Sequence, residues 1–179
     1  MKELSSWLLI PAVILPAAAP AYAVQYLTVE QAQKLMYPQA EGFVSMPLRL
    51  TAEQKKFVEK ASGVRLRFAE QPVWQVTANG RPAGWFIVDE VYGKHEFITY
   101  AVAIGLDGAV RGVEILDYRE THGGEVKNPK WRAQFNGKKL SDPLRLDEDI
   151  LNISGATLSC RHIADGVKRL LAIHEAALK

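Results

Sequence analysis

Cysteine is nearly absent from this 179-residue sequence, which contains only Cys160. One cysteine excludes an intramolecular disulfide framework, a Cys-rich zinc ribbon, a Cys-ligated iron–sulfur cluster and a Cys-x-x-Cys-His haem attachment site. An excess of one charge sign is also missing, because 22 Lys and Arg residues oppose 20 Asp and Glu residues. The resulting net charge of +2 provides no basic field for nucleic acid. The length favours a single domain.

Sequence signatures of several common enzyme sites are absent too. The chain has no Walker loop, dinucleotide fingerprint or Gly-x-Ser-x-Gly nucleophile elbow. Its four histidines are scattered without the spacing of a zinc site, so we predict no metal centre. These histidines are His95, His122, His162 and His174.

Near the N-terminus lies an apolar run, Trp7–Ala19, that is too short and too rich in proline to span a membrane, which takes about 20 residues. The run follows Lys2 and precedes Ala21-Tyr-Ala23, a small-x-small processing site. We interpret residues 1–23 as a secretory signal peptide cleaved after Ala23, with an uncleaved N-terminal anchor as the alternative. We therefore expect the protein to work in the periplasm.

Residues 24–63 carry two helix start signals. Thr28-Val-Glu-Gln and Thr51-Ala-Glu-Gln both have the Thr-x-x-Gln capping pattern. Pro38 is expected to end the first helix and Gly63 the second. The stretch between the two helices, which contains proline and glycine, is predicted to be a loop. We interpret this segment as a helical cap on a core built by later residues.

From residue 64 the hydrophobic period changes from 3.6 to 2, which predicts strands. Asn79-Gly80 and Asp107-Gly108 suit two-residue hairpin turns that need positive φ. Four consecutive strands would form an antiparallel meander whose apolar face must be covered by helices, so the predicted fold class is α+β. The predicted strands are Val73–Ala78, Ala83–Tyr92, Phe97–Leu106 and Ala109–Tyr118.

After the predicted sheet, the chain becomes polar and contains paired glycines that would let backbone approach a ligand closely. Trp131 and Phe135 follow, and they could either cover a planar ring or dock on the core. A basic stretch is interpreted as a solvated face, or alternatively as a docking surface for an acidic redox partner. Its members are Lys127, Lys130, Arg132, Lys138 and Lys139.

A turn of small residues, Ser154-Gly-Ala-Thr157, enters the last helical pattern, which begins near Leu158 and continues towards the C-terminus. Small residues there would expose the Thr157 hydroxyl and let a phosphate reach the free amides of the helix start. The alternative is that Thr157 is only an N-cap. Gly166 is expected to weaken this helix by about 1 kcal/mol relative to Ala.

Two motifs resemble the FMN-binding domain family, which includes periplasmic flavin subunits of the Rnf and sodium-pumping NADH:quinone oxidoreductase complexes. The first is Ser154-Gly-Ala-Thr157, followed by Ser159 and a helix. The second, Glu120-Thr-His-Gly123, is similar to the family's Glu-Thr-x-Gly element. The resemblance covers roughly residues 71–171 and implies an FMN-binding domain over residues 64–179.

The resemblance implies that FMN is attached covalently to Thr157 through a phosphoester installed by a flavin transferase. It implies an electron carrier with a membrane-bound or soluble redox partner, rather than a stand-alone enzyme. The other residues expected at the cofactor are Ser154, Gly155, Ala156, Leu158, Ser159, Glu120, Thr121, Gly123 and Gly124.

Three positions depart from the family pattern. Leu151 stands where an acidic residue is usual, His122 replaces a proline, and Cys160 replaces a small residue. We expect Cys160 to be a buried packing residue. Two alternative functions remain open: a noncovalent FMN-binding or sensory domain, and a cofactor-free periplasmic binding module.

Overall fold

The computed structural model describes residues 26–179, so the predicted signal peptide lies outside the described residues. No helix within this range is long and apolar enough to cross a membrane. The elements in chain order are α1 (Val29–Met36), β1 (Gly42–Ser45), α2 (Ala52–Ser62), β2 (Val73–Ala78), β3 (Arg81–Tyr92), β4 (Phe97–Gly105), β5 (Val110–Tyr118), a 3₁₀ turn (Gly124–Lys127), α3 (Pro129–Arg132), a second 3₁₀ turn (Ala133–Phe135) and α4 (Thr157–Ala177).

The strands form one antiparallel sheet in the order β1-β2-β3-β4-β5, which confirms the α+β class and the meander. The predicted number of strands was wrong, because residues 26–179 contribute five rather than four. The extra strand, β1, lies in the stretch predicted to be a loop and pairs with β2 from Gly42↔Thr77 to Ser45↔Trp74. A four-residue edge strand is too short to show a period of 2 and is held by its neighbour.

The two hairpin turns differ. Asn79 and Gly80 have φ of 51° and 67°, as the two-residue turn requires. At the second turn only Gly108 has a positive φ, 75°, and the amide of Gly105 donates to the carbonyl of Ala109 at 2.9 Å. The prediction of a two-residue turn there was wrong, because this pairing leaves a three-residue loop that begins at the exposed Leu106.

Both predicted capping boxes are present. Thr28 caps α1 and Thr51 caps α2. Each threonine side chain accepts a hydrogen bond from the backbone amide of the glutamine three residues later, and the side chain of that glutamine accepts one from the backbone amide of the threonine. Gly63 ends α2 in the left-handed conformation, with φ of 76°.

Helices cover both faces of the sheet. The larger side chains of β4, such as Tyr100 and Ile104, share a core with α4, against which α2 also packs. The opposite face, which includes Ala101 and Phe86, forms a second cluster with Ala32 of α1. The sequence predicted one apolar face of the sheet, but both faces are covered by apolar side chains. The larger of the two clusters packs α4 against the sheet.

A buried ionic network that no sequence pattern predicted joins α4 to the sheet. Arg169 Nη2 and Nε donate to Asp89 Oδ2 at 2.6 and 3.0 Å, and Tyr100 Oη donates to the same oxygen at 3.0 Å. Arg169 also donates to the carbonyls of Arg65 and Glu90. Asp89 and Arg169 are 0% and 3% exposed, so water does not reach either charge. Each charge is therefore stabilised by its partner instead of by water.

His174, in the last third of α4, is buried against the turn at Gly108. Its Nε2 has no hydrogen-bond partner within residues 26–179. Burial lowers the pKa of His174 below its ordinary value of 6.5. Its charged neighbours oppose one another: Glu175 and Asp107 raise the pKa, and Lys179 lowers it.

We expect His174 to make the fold sensitive to acid. Below about pH 6.5 the unfolded chain takes up a proton that the folded chain resists, so the free energy of unfolding falls as the pH falls through this range. His174→Leu should flatten the pH dependence of urea unfolding between neutral and mildly acidic pH. His95→Gln, which removes an exposed histidine, is the matched control. An unchanged slope in His174→Leu would contradict the assignment.

Candidate functional site

A cavity of about 470 Å³ lies where the start of α4 meets the segment after β5 and the β3–β4 connection. This volume is within the range of ordinary small-molecule pockets. The two motifs that are far apart in sequence therefore meet at one cavity. The predicted site residues on its wall are Glu120, Thr121, Gly155, Ala156, Thr157, Leu158 and Ser159.

Thr157 is the first residue of α4, and Ala156 occupies the N-cap position without any side-chain cap. The alternative in which Thr157 is only an N-cap was therefore wrong. Since no side chain caps the helix, the first amides of α4 are free to face an anion in the cavity. Gly155, with φ of 86°, opens the turn, and nothing lies within 4 Å of the place where its Cβ would be.

The Thr157 hydroxyl accepts a hydrogen bond from Asn152 Nδ2 at 3.2 Å. Asn152 Oδ1 is itself buried and has no partner among the described residues. At the position where the family usually has an acidic residue, Leu151 is 71% exposed. Asn152 is therefore the polar side chain that orients the Thr157 oxygen.

Three predicted site residues do not line the cavity. Ser154 is exposed on the turn, Gly123 is buried and Gly124 is half-buried, and none of the three is on the cavity wall. Gly123 has φ of 82°, and a Cβ there would lie 2.8 Å from Tyr118 Oη and 3.4 Å from Ala156 Cα. Gly123 thus allows close approach between the segment after β5 and the turn before α4, which is a packing role.

Tyr118 joins the same two segments. Its hydroxyl donates to the carbonyl of His122 at 2.5 Å and lies 3.3 Å from Ser159 Oγ. Burial raises the pKa of Tyr118, which keeps the phenol protonated. These two contacts of the phenol connect the segment after β5 to the start of α4.

Three further residues on the wall were not predicted from the sequence: Lys94, His95 and His122. Lys94 and His95 belong to the β3–β4 connection, which has no motif of its own. His122 stands where the family usually has a proline. The three side chains add positive or titratable groups to a cavity that was predicted from glycines and hydroxyls.

Trp131 and Phe135 are core residues, which decides between the two alternatives left open by the sequence: they dock on the core and do not cover a ring. They are 5% and 0% exposed and pack edge to face with ring centroids 5.3 Å apart. Trp131 Nε1 donates to the carbonyl of Leu151 at 2.8 Å, which holds the loop before the motif turn. Burial of both rings contributes more to stability than exposure at an open cavity would.

The basic stretch is only partly a solvated face. Arg132 pairs with Glu114 and donates to the carbonyl of Val113 at 2.7 Å. Lys138 bonds Asp149 at 2.8 Å. Of the other three basic residues, Lys127 donates to Tyr26 Oη at 2.7 Å, and Lys130 and Lys139 are exposed.

Cys160 is fully buried, as predicted, and burial raises the pKa of its thiol. His162 is half-buried, and its Nδ1 lies 2.5 Å from the carbonyl oxygen of Tyr92. Neither residue lines the cavity. Within residues 26–179 no group of three or more His, Cys, Asp or Glu side chains is arranged to hold a metal ion.

Comparison with known proteins supports a cofactor site. Residues 93–172 match the sequence model described as an FMN-binding domain, and this range contains the cavity residues. The NqrC subunit of the Na(+)-translocating NADH-quinone reductase of Vibrio vulnificus is 36% identical over 125 residues, which cover 67% of this chain and 46% of that protein. The corresponding Yersinia pestis protein is 38% identical over 86 residues, covering 45% and 32%. The chain thus matches less than half the length of these relatives.

The fold also resembles a solved structure. The crystal structure of Shewanella oneidensis NqrC superposes with a TM-score of 0.52 at 16% sequence identity, covering 86% of this chain and 78% of that one. At this identity the similarity concerns the fold.

Proposed function

We propose that this chain, which carries an FMN-binding domain homologous to the NqrC subunits of the Na(+)-translocating NADH-quinone reductases, is a periplasmic electron-transfer flavoprotein with FMN esterified to Thr157. The observation that carries the proposal is the position of Thr157, on the cavity wall at the first residue of an uncapped helix. The predicted signal peptide supports the periplasmic location.

The residues at the cavity fit FMN. Its phosphate would meet the free amides at the start of α4, where the helix dipole also favours negative charge. Lys94 supplies a positive charge, His95 supplies a ring that can form hydrogen bonds, and the exposed Leu158 supplies apolar surface at the cavity. When bound, FMN supplies reversible electron transfer, which the protein's own side chains cannot perform.

A phosphoester to Thr157 is consistent with the geometry around its hydroxyl. The bond would form between Thr157 Oγ1 and phosphorus as the rest of an activated flavin nucleotide departs, and a base of the flavin transferase would take the proton of the hydroxyl. A flavin transferase would supply that nucleotide. Asn152 holds Oγ1 in place, and the remaining phosphate charge stays at the helix start.

The relatives are subunits of a reductase complex, so we propose that this chain exchanges electrons with a membrane-bound or soluble redox partner. Electrons would pass through the open side of the cavity, near Leu158, which is 42% exposed. A role as an electron carrier requires no further catalytic group on the chain.

Co-expression of the full chain with a flavin transferase tests the proposal. We expect the denatured protein to fluoresce on a gel and to gain the mass of FMN less one water. Thr157→Val should lose the adduct completely because it removes the attacking oxygen while keeping the shape of the side chain. Thr121→Val, which removes another hydroxyl from the same cavity, should keep it.

Other outcomes select the alternatives. Flavin that acid precipitation releases from the wild type would indicate a noncovalent or sensory FMN domain. A colourless wild type would favour a cofactor-free binding module. Cell fractionation with N-terminal sequencing tests the location, and a mature protein that begins at Val24 in the periplasm is the expected result.

A further inference from the structure

The β3–β4 connection, residues 93–96, forms one wall of the cavity. It is a tight turn, in which the amide of Gly93 donates to the carbonyl of Glu96 at 2.8 Å. Lys94 and His95 occupy its tip and line the cavity together with Thr157. Neither side chain forms a hydrogen bond or ion pair within the described range, so the backbone of the turn decides where the two side chains lie.

One carboxylate oxygen holds this turn. Glu120 Oε1 accepts hydrogen bonds from three consecutive amides, those of Lys94, His95 at 2.5 Å and Glu96 at 3.0 Å. Gly93 packs against the same side chain, since a Cβ there would lie 3.0 Å from Glu120 Cγ and closer still to Oε1. Glycine at position 93 therefore leaves the space that the Glu120 side chain needs to reach the amides of the turn.

The ionisation of Glu120 agrees with this arrangement. Burial would raise the pKa of Glu120, but the hydrogen bonds from the amides of Glu96, His95 and Lys94 outweigh it and lower the pKa. The side chain is then an acceptor without a proton to donate. The negative charge of Glu120 is stabilised by the amides of residues 94–96.

We propose that Glu120 is a positioning residue whose carboxylate fixes the turn of residues 93–96, so that Lys94, with His95 next to it, stands beside the isoalloxazine and the Lys94 ammonium raises the midpoint potential of the flavin. The proposal rests on the proposed function. Positive groups near the ring stabilise the negative charge of the reduced cofactor, and loss of the turn would remove that stabilisation.

A comparison of two variants separates this role from a direct one. Glu120→Gln and Glu120→Ala remove the same negative charge, so an effect of the charge alone would give both variants the same midpoint potential. Gln keeps a carbonyl oxygen that can accept hydrogen bonds from the amides of the turn, whereas Ala removes the acceptor. If Glu120 acts through the turn, the midpoint potential of Glu120→Ala should therefore be lower than that of Glu120→Gln, and Lys94→Gln should also lower the potential.

Two measurements test the proposal. The first is the midpoint potential of flavin-loaded Glu120→Gln, Glu120→Ala, Lys94→Gln and the double variant Lys94→Gln/Glu120→Ala. The midpoint potential of the double variant should differ from that of the wild type by less than the sum of the two single shifts, because Glu120 acts partly through Lys94. The second is amide hydrogen exchange of residues 94–96 in flavin-free Thr157→Val protein, where adding Glu120→Ala should speed exchange roughly tenfold or more.

Glu125→Gln is the matched control, because Glu125 is an exposed carboxylate whose charge acts on Tyr118 but which holds no amide of the turn. It should leave amide exchange unchanged. Equal midpoint potentials in Glu120→Gln and Glu120→Ala, or unchanged exchange in Glu120→Ala, would overturn the proposal. A wild type that never binds flavin would overturn the proposed function and the roles of Lys94 and His95 beside the ring. The exchange measurement would still decide whether Glu120 holds the turn.

Discussion

Arg169→Met should lower the free energy of unfolding by about 3–5 kcal/mol, because it leaves the buried Asp89 carboxylate without its partner. The side chains of Arg169 and Asp89 are 4% and 0% exposed, so water cannot replace the lost guanidinium. The carbonyls of Arg65 and Glu90 lose a donor at the same time. Urea unfolding followed by far-UV circular dichroism measures the loss.

The pH dependence of the variant gives a second readout. Burial raises the pKa of Asp89, and Arg169 opposes that rise. Without Arg169 the folded chain holds a proton on Asp89 that the unfolded chain releases above its ordinary pKa. Arg169→Met should therefore lose stability relative to the wild type as the pH rises from acidic to neutral.

Two further variants make the result specific. Asp89→Leu/Arg169→Met should be less destabilised than the sum of its single changes, because no unpaired charge remains. Arg49→Met removes an exposed partner of Glu70 and should cost no more than about 1 kcal/mol. A cost for Arg169→Met as small as that of Arg49→Met would contradict the role assigned to the buried pair.

Gly166→Ala should destabilise the protein by about 1–3 kcal/mol, although alanine is the better helix former by about 1 kcal/mol. A Cβ at Gly166 would clash with Tyr100 Oη and lie 2.8 Å from Val91 Cγ1. Tyr100 is fully buried and hydrogen-bonded to Asp89, so it cannot move away. Thermal and urea unfolding should both show the loss.

Ala164→Gly is the reverse change two residues away on the same helix. Because Ala164 is buried, this variant should also be destabilised, by loss of helix propensity and of packing. Tyr100→Phe should relieve part of the cost of Gly166→Ala by removing the clashing oxygen. If Gly166→Ala raised the free energy of unfolding, helix propensity would be the stronger effect and the assigned close approach would be wrong.

Features governed by neighbouring residues were predictable from the sequence. The capping boxes at Thr28 and Thr51, the turn at Asn79-Gly80 and the start of α4 near Thr157 all depend on hydrogen bonds or dihedral preferences within a few residues. The position of β1 was not predictable, because a short edge strand takes its conformation from β2.

The candidate site divides in the same way. Thr157 and the residues beside it were identified from a local motif, and they lie on the cavity wall. Lys94 and His95 were missed because a carboxylate 24–26 residues away holds their turn. Trp131 could not be assigned to a ring or to the core from the sequence, since its sequence neighbours do not show which surface it meets.

By itself, the sequence determined the starts of α1, α2 and α4, the hairpin turn at Asn79-Gly80 and the fold class, because each of these depends on short-range chemistry. The tertiary structure decided which groups meet across the chain. It joined Glu120 to residues 94–96, Asp89 to Arg169 and Gly166 to Tyr100. Long-range pairs of this kind leave no periodic signal, since the energy of each arises only when the sheet and α4 pack together.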